Sequence, residues 1–448
     1  MIQLPPAAEP LIDRLSIAFT RPTFKRFVLL LVGAILTPGR RTVLNVLWTV
    51  RSFMDGHVSS YHRVFSERRW SLWPLGRALA TAVLTEVPEG EAVVVAMDDH
   101  ATLHKGAKVY GKGKHRDAVR SSHSLTTWLF GHKWVVLAIC VKLPFASRPW
   151  ALPVLCALYR TAEQDHVEGR RHKTPIQLAR GLMAVLCRWF PRRRFVFLGD
   201  GGFSSHQTAS FGRRHARRAT MVGKLSPDAN LYDPPPPRRP GQPGRPRVKG
   251  DKRPTPREAV ETVEPTTTTV SWYGGSDRRV ALVSDTGHWY KSGRGLVPLR
   301  WVYVRDLDGT HRDECFFSTD VGMTPEQIVG SYTARWSIEV TFQEARVHLG
   351  LHTPRNRTES SVLRTTPCLL GLFSVAALIF AELHRQGEVR LRRVPGYAKT
   401  EPTFSDALAA VRRALWEEIL KGPTNPRAFD KPPPSHTTLL LECLSHAA

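Results

Sequence analysis

Negative charge is scarce in this sequence. Its 448 residues carry 39 Asp and Glu against 64 Lys and Arg, which gives a formal net charge of +25. Such a surplus is atypical of an enzyme of ordinary metabolites and favours a polyanion, such as nucleic acid, as partner. Hydrophobic residues make up 42% of the chain. The protein is therefore not a disordered basic tail, and it can form two or three domains with a sizeable core.

Cysteine and long apolar runs are also in short supply. The six cysteines are scattered, without a C-x-x-C pair or the spacing of a zinc site, which predicts no disulfide framework and favours a reduced, cytoplasmic setting. The apolar runs FVLLLVGAIL (27–36) and CLLGLFSVAALIFA (368–381) are shorter than the ~20 residues that cross a bilayer. We expect both to be buried core helices, and we expect no membrane partner. No basic segment leads into an apolar one at the N-terminus, so no secretory signal is predicted.

What is present is a change of pattern along the chain. The first part is helical and rich in Arg, and RRTVLNVLWTVRSF (40–53) and SYHRVF (60–65) are separated by a Gly-containing turn, as in a helix-turn-helix. We predict five parts: a helical, basic, DNA-binding domain at 1–88, the first part of an α/β core at 89–225, a β-rich insertion at 226–322, the second part of the core at 323–385 and a helical C-terminal region at 386–448.

Apolar runs that end in acids predict buried strands, here EAVVVAMDDH (91–100) and RFVFLGDGG (194–202). Between them, HSLTTWLF and WVVLAICVKL flank a short turn at 131–133, which predicts an antiparallel hairpin. Helices are predicted to begin after Thr174 and Thr324, because each is followed by Pro and then by the Gln of a capping box.

Proline dominates the segment 233–258, DPPPPRRPGQPGRPRVKGDKRPTPRE. This composition predicts an extended, mobile linker without helix or interior strand. The runs TTTTVSWYG, RRVALVSD, LRWVYVRD and CFFSTD follow it, and their strand character predicts the β-rich insertion.

The stretch YTARWSIEVTFQEARVHLGL (332–351) predicts a helix with a narrow polar face. At about 100° per residue, Tyr332, Arg335, Glu339 and Arg346 fall within a sector of roughly 60°, beside an apolar stripe. A solvated charged face with an Arg335–Glu339 pair is the plainer interpretation of this pattern.

Acids close or follow several of these elements. Asp98 or Asp99 ends the first strand, Asp200 ends a later one, and Glu339 lies on the predicted helix. Three carboxylates from separate elements can converge at one edge of a sheet, and such hard oxygen ligands suit Mg²⁺. Two ions about 3.5–4 Å apart would stabilise both the attacking and the leaving oxygen of a phosphodiester displacement.

With these residues in view, the chain resembles the DDE transposases of bacterial insertion sequences. One branch of that family carries an inserted β domain and a Tyr-x-x-Arg-x-x-x-Glu-x-x-x-x-x-x-Lys helix. Tyr332, Arg335 and Glu339 fill the first three signature positions, and Arg346 stands where Lys is usual. The segments AMDDH, FLGDGGF, FFSTD and LGLHTPRNRT also match, so the resemblance covers roughly residues 90 to 385.

The resemblance implies an α/β fold with a ribonuclease H-like catalytic core, a β-rich insertion and a helical N-terminal domain. It implies an enzyme that cuts the inverted-repeat ends of its element and joins the 3′ hydroxyls to target DNA. Asp98, Asp200 and Glu339 would bind two Mg²⁺ ions, for which Mn²⁺ can substitute. Tyr332, Arg335 and Arg346 would contact the DNA ends, and the N-terminal domain would read their sequence.

The same resemblance implies double-stranded DNA as partner, a homodimer on paired ends, a place in the bacterial cytoplasm at the nucleoid, and no small-molecule cofactor.

Several assignments have competitors. Asp99 is the alternative to Asp98, because a shift of one residue along a strand changes the face. Trp272 in the insertion, or Trp336, would hold a flipped base as in related hairpin-forming enzymes, and a core tryptophan is the alternative. Arg245 in PGRPR resembles a minor-groove hook, with a solvated basic linker as the alternative.

Two other functions fit the same acids. One is a nuclease that cuts without joining, and the other is a DNA-binding repressor with a silent active site. All three acids and the signature Tyr, Arg and Glu are present, so the sequence itself shows no decay of the site.

Overall fold

A computed structural model of the protein describes residues 2–117, 120–122, 124–238, 243–389, 391, 393–421, 437 and 440. The N-terminal part is helical, as predicted. Its helices are α1 (Glu9–Arg14), α2 (Arg21–Leu36), α3 (Val43–Thr49), α4 (Val58–Ser66) and α5 (Leu72–Leu84), with short 3₁₀ turns at Leu15–Ala18 and Arg51–Phe53. Gly56, with φ +78°, lies in the turn between α3 and α4, where a left-handed backbone favours glycine.

The core of the molecule is one large mixed sheet. Its first strands and helices are β1 (Val93–Leu103), β2 (Gly113–Arg116), β3 (Trp128–Val141), β4 (Trp150–Tyr159), α6 (Ala162–Val167), α7 (Pro175–Trp189), β5 (Phe195–Gly199), α8 (His206–Arg214) and β6 (Ala219–Lys224). The spatial order is β4-β3-β1-β5-β6, with β3 antiparallel to its neighbours and β1, β5 and β6 parallel. This is the ribonuclease H-like order, and the predicted fold class is confirmed.

The β-rich insertion extends the same sheet. Its elements are β7 (Leu231–Tyr232), α9 (Pro256–Thr262), β8 (Thr266–Ser271), β9 (Asp277–Lys291), β10 (Gly295–Asp306) and β11 (Glu314–Ser318). Strand β11 pairs with β6 and then with β10, which continues through β9 to β8 and β7. In the part of the chain that the structure describes, the sheet has 11 strands.

Helices return after β11 and close the chain. They are α10 (Pro325–Ala334), α11 (Ser337–His348), α12 (Glu359–Arg385) and α13 (Phe404–Lys421), with a two-stranded ribbon, β12 (Arg393–Val394) and β13 (Tyr397–Ala398), before the last helix. By length and composition α12 is the one described helix that could span a membrane, but 78% of its apolar window is buried in the protein. It packs on β4, α5 and α13, which is the core role predicted for 368–381.

The predicted hairpin around 131–133 is wrong. Residues 128–141 form the single strand β3, and Gly131 lies opposite both Leu103 of β1 and Gly113 of β2. A Cβ at Gly131 would lie 1.8 Å from the carbonyl oxygen of Thr102. The glycine therefore allows close contact between strands instead of forming a turn.

The proline-rich segment is more ordered than its composition suggests. A helix begins inside it at Pro256, with a capping box between Thr255 and Glu258. Arg253 pairs with Asp233 at 3.1 Å and with Asp285 at 2.7 Å. The prediction of no helix in 233–258 is therefore wrong at the end of the segment, because local capping there outweighs the proline content.

The close contact between Gly131 and the backbone of Thr102 leads to a prediction about stability. We expect Gly131→Ala to lower the free energy of unfolding by about 1–3 kcal/mol or more, since the new methyl group must displace the backbone of β1. Urea denaturation followed by circular dichroism measures this.

Gly181→Ala is the matched control. This glycine lies in α7 and its Cβ would meet nothing within 4 Å, so the same change should stabilise by roughly 0.5–1 kcal/mol. Equal unfolding midpoints for the two variants would contradict the close approach at Gly131.

Candidate active site

Two of the predicted acids lie side by side on parallel strands. Met97 of β1 is in register with Gly199 of β5, so the next residues, Asp98 and Asp200, are neighbours at the point where β5 ends. Strand β1 continues to Leu103, so the prediction that Asp98 or Asp99 ends the first strand is wrong. Burial raises the pKa of Asp98 to about 7, the neighbouring charge of Asp200 adds to the rise, and the guanidinium of Arg335 opposes it. The topology thus places two carboxylates close enough to influence each other.

The Asp200 carboxylate is fixed by the glycine turn that follows β5. Its Oδ1 accepts hydrogen bonds from the backbone N–H groups of Gly202 at 3.0 Å and Phe203 at 3.1 Å. The backbone carbonyl of Asp200 accepts one from Ser204 at 2.7 Å. A β-carbon at Gly202 would lie 3.3 Å from Oδ1, so a larger residue there would have to shift this carboxylate slightly.

The third acid follows a break that the sequence pattern does not predict. The stretch 332–348 forms the end of α10 and all of α11, joined at Arg335 and Trp336. Hydrogen bonds there span three residues, from Arg335 N to Tyr332 O and from Glu339 N to Trp336 O, each 3.1 Å. The prediction of one regular helix is therefore wrong, because this tighter winding changes the direction of each side chain.

Arg335 links two of the three acids. Its Nη1 lies 3.2 Å from Asp98 Oδ2, and its Nη2 lies 2.9 Å from Glu339 Oε1. The Arg335 side chain is only 7% exposed. The predicted Arg335–Glu339 pair exists, but on the arginine side it is buried rather than solvated. The Nε of Arg335 is buried without a hydrogen-bond partner among the described residues.

The neighbouring Asp99 has a different environment. Its carboxylate pairs with Lys133 at 2.8 Å, and successive side chains of a strand point to opposite faces. Asp98 therefore shares a face of β1 with Glu339 and Arg335, while Asp99 lies on the other. This geometry favours Asp98 over Asp99 as the partner of Glu339.

The donor set fits a divalent ion in its chemistry. Asp98, Asp200 and Glu339 provide carboxylate oxygens from three separate elements, which is the type of ligand that Mg²⁺ prefers. Arg335 pairs with Asp98 and Glu339 but not with Asp200, and no group of three or more His, Cys, Asp or Glu in the described part of the chain is arranged to hold a metal. The guanidinium supplies the positive charge between Asp98 and Glu339 in this arrangement.

Two of the predicted DNA-contacting residues lie in the core. The Tyr332 ring is 3% exposed and stacks on Phe316, with centroids 4.2 Å apart. The Trp272 ring is 5% exposed and packs edge-on against Tyr273. Both positions are typical of packing roles. For Trp272 this is the alternative given above, a core tryptophan.

The other predicted contacts lie at the surface. Trp336 is 44% exposed at the break between α10 and α11. Arg346 is exposed on the last turn of α11, and Arg245 is exposed in the loop before α9. These three remain predicted DNA contacts.

The sequence pattern misses a histidine pair beside the acids. The Nε2 atoms of His100 and His352 are 2.9 Å apart, and the two rings stack. Burial, then His352 and Arg346, lowers the pKa of His100 to about 3, so its ring is neutral. The charge of Arg346 also lowers the pKa of His352, after burial. Only the position of His352 just after the helix, in LGLHTP, hints at this contact.

Arg41 is a second residue that the sequence pattern misses. It is 7% exposed, and its Nη2 donates a hydrogen bond to the backbone carbonyl of His348 at 2.5 Å. Its backbone N–H donates to Thr353 Oγ1 at 2.9 Å. The N-terminal helices are thereby attached to the end of α11.

The buried pair at Arg335 gives a prediction. We expect Arg335→Met to lower the free energy of unfolding by roughly 3–5 kcal/mol, because it leaves the largely buried Asp98 without its partner. Arg247→Ala is the control, since the Arg247–Asp251 pair is exposed and should be worth less than about 1 kcal/mol. Thermal and urea unfolding of the two variants measure the difference, and equal losses would contradict the pairing.

Comparison with known proteins identifies the family. A family model described as DDE superfamily endonuclease matches residues 14–279, a range that includes Asp98 and Asp200 and ends before Glu339. A cryo-EM structure of the piggyBac transposase synaptic complex with hairpin DNA is 10% identical, with 98% of this chain and 81% of that chain covered and a TM-score of 0.44. No curated protein matches. The family match covers more than half of the chain, and the protein belongs to the DDE superfamily endonucleases.

Proposed function

We propose that this protein is the transposase of a bacterial insertion sequence, which cuts the inverted-repeat ends of its element and joins the freed 3′ hydroxyls to target DNA. One observation carries the proposal. Asp98 within β1 and Asp200 just after β5 are neighbours on adjacent parallel strands, and Arg335 holds Glu339 beside Asp98. Family membership and the net charge of +25 support DNA as the substrate.

Each acid has a defined role in this proposal. When bound by these carboxylates, two Mg²⁺ ions supply the positive charge that stabilises the attacking and leaving oxygens of the phosphodiester displacement, and Mn²⁺ can substitute. The turn after β5 keeps Asp200 oriented through two backbone hydrogen bonds. Arg335 orients Asp98 and Glu339 through charge-assisted hydrogen bonds.

Further features of the proposal come from the resemblance of the signature motifs. They are a homodimer on paired element ends, a double-stranded DNA partner, the N-terminal helices as readers of the ends, and a place at the bacterial nucleoid. Matched inverted repeats around the coding sequence would support the mobile-element origin. A protein-to-DNA ratio from light scattering of the complex with paired ends tests the dimer.

The chemistry can be tested with size-conserving variants. We expect Asp200→Asn and Glu339→Gln each to lower Mg²⁺-dependent cleavage of duplexes that carry the flanking repeats by about 100-fold or more, because losing one ligand disables a metal pair worth several kcal/mol. Binding of the same duplexes without metal should change little, since cations make the phosphate contacts. Cleavage near the wild-type rate in either variant would contradict the assignment of that acid as a metal ligand.

The neighbours Asp98 and Asp99 provide a matched pair. Asp98→Asn should abolish cleavage, whereas Asp99→Asn should leave most of it, since the two carboxylates point to opposite faces of β1. The reverse result would move the assignment to Asp99. Cut but never joined products from the wild-type protein would indicate a nuclease, and binding without any cutting would indicate a repressor.

The exposed Arg346 gives a separate prediction on binding. If it contacts a phosphate, Arg346→Ala should weaken binding to the element ends and lower the slope of log K against log salt by about 0.9. Arg346→Lys should keep the slope and most of the activity, since both residues are cations, although a bidentate contact would be lost. Salt titrations of the three proteins measure this, and identical slopes for all three would remove Arg346 from the interface.

A further inference from the structure

Two large aromatic rings are exposed at the start of β3. Trp128 is 49% exposed and Phe130 is 54% exposed. They are two residues apart on one strand, so their side chains lie on the same face. Rings that are this exposed on a strand leave apolar surface in water, which is a common feature of binding surfaces.

Cations lie directly opposite the two rings. In the register of β2 and β3, Lys114 pairs with Phe130 and Arg116 pairs with Trp128, and both basic side chains are exposed. The Lys114 Nζ lies 4.6 Å from the centroid of the Trp128 ring. We call Lys114, Arg116, Trp128 and Phe130 the ring-cation ladder. Its alternation of aromatic faces and positive charges is the composition of surfaces that bind nucleic-acid strands.

The ring-cation ladder shares its face with the acid cluster. Asp98 lies opposite Val136 on β3, and Phe130 is an even number of residues before Val136, so the side chains of Asp98 and Phe130 point to the same side of the sheet. Six residues of strand separate Phe130 from Val136, which is roughly 20 Å at about 3.4 Å per residue. His132 and Trp134 lie between them on the same side of β3 and are each 1% exposed, so a DNA strand that leaves the acids has to pass over the residues that cover this side before it meets the ladder.

We propose that the ring-cation ladder binds unpaired DNA on the side of the sheet that carries Asp98, which deepens the proposed function and rests on it. Trp128 and Phe130 are about 7 Å apart along the strand, whereas bases stacked in a duplex strand are about 3.4 Å apart. Successive bases therefore reach both rings only when the strand is unstacked. The rings bind the bases by stacking, and Lys114 and Arg116 bind the phosphates.

The test separates stacking from charge. Full-length protein is titrated without divalent metal, in a series of salt concentrations, with labelled oligo-dT and with a duplex of the same length. Trp128→Ala with Phe130→Ala should weaken oligo-dT binding at least about 5-fold per ring, leave the salt slope unchanged and affect the duplex less. Lys114→Gln with Arg116→Gln should lower the slope for oligo-dT by about 0.7 for each cation.

A matched control and a second measurement protect against misfolding. Trp73 is 52% exposed on α5, so Trp73→Ala removes an equally exposed ring elsewhere and should not change oligo-dT binding. Photocrosslinking of wild-type protein to 5-iodouracil-substituted oligo-dT should attach the strand to the peptide that contains Trp128 and Phe130.

The outcomes also separate this inference from the proposed function. Wild-type affinity for oligo-dT in both double variants, or crosslinks only at other sites, would overturn the role of the ladder. The proposed function would still stand if the protein cleaves the element ends. An equal loss of duplex and oligo-dT binding in the aromatic variant would overturn the preference for unpaired strands. Because binding is measured without metal, a protein that fails to cut DNA still gives a result for the ladder.

Discussion

The ion contacts of Arg335 determine the geometry of the candidate site. Its largely buried guanidinium holds the carboxylates of Asp98 and Glu339. Asp98 lies on a central strand, 237 residues before Arg335, whereas Glu339 lies on a helix four residues after it. A buried cation of this kind is stable only because its partners remain in place, and the partners would repel each other without it. Arg335 lies at the break between α10 and α11.

Much of this arrangement could be predicted from local pattern. Acid-terminated apolar runs gave β1 and β5, and the capping boxes at Thr174 and Thr324 gave the starts of two helices, because these signals lie within a few residues of each other. The site acids followed from a resemblance in spacing. Gly131 was misjudged because its meaning depends on Thr102 of another strand. The break at Arg335 was missed because periodicity assumes a regular helix, and the His100–His352 contact because it joins residues 252 apart.

The insertion is part of the sheet rather than an appendage. Strand β11 pairs with β6, so the strands that follow the second acid continue the edge of the catalytic sheet. A second buried cluster, which contains Trp272, Val302 and Tyr332, packs α10 on this extension. The helix that leads to Arg335 is thus supported by insertion residues, and Tyr332 takes part in this packing.

The attachment of Arg41 to the last turn of α11 has a consequence for modularity. The final carbonyls of a helix have no partners within it, and here Arg41 from the N-terminal helices supplies a donor to one of them. Arg412 of α13 similarly donates to Ile35 at the end of α2. The N-terminal helices therefore complete hydrogen bonding that α11 cannot complete alone. Exchange of these helices between related enzymes would have to carry the matching helix ends with them.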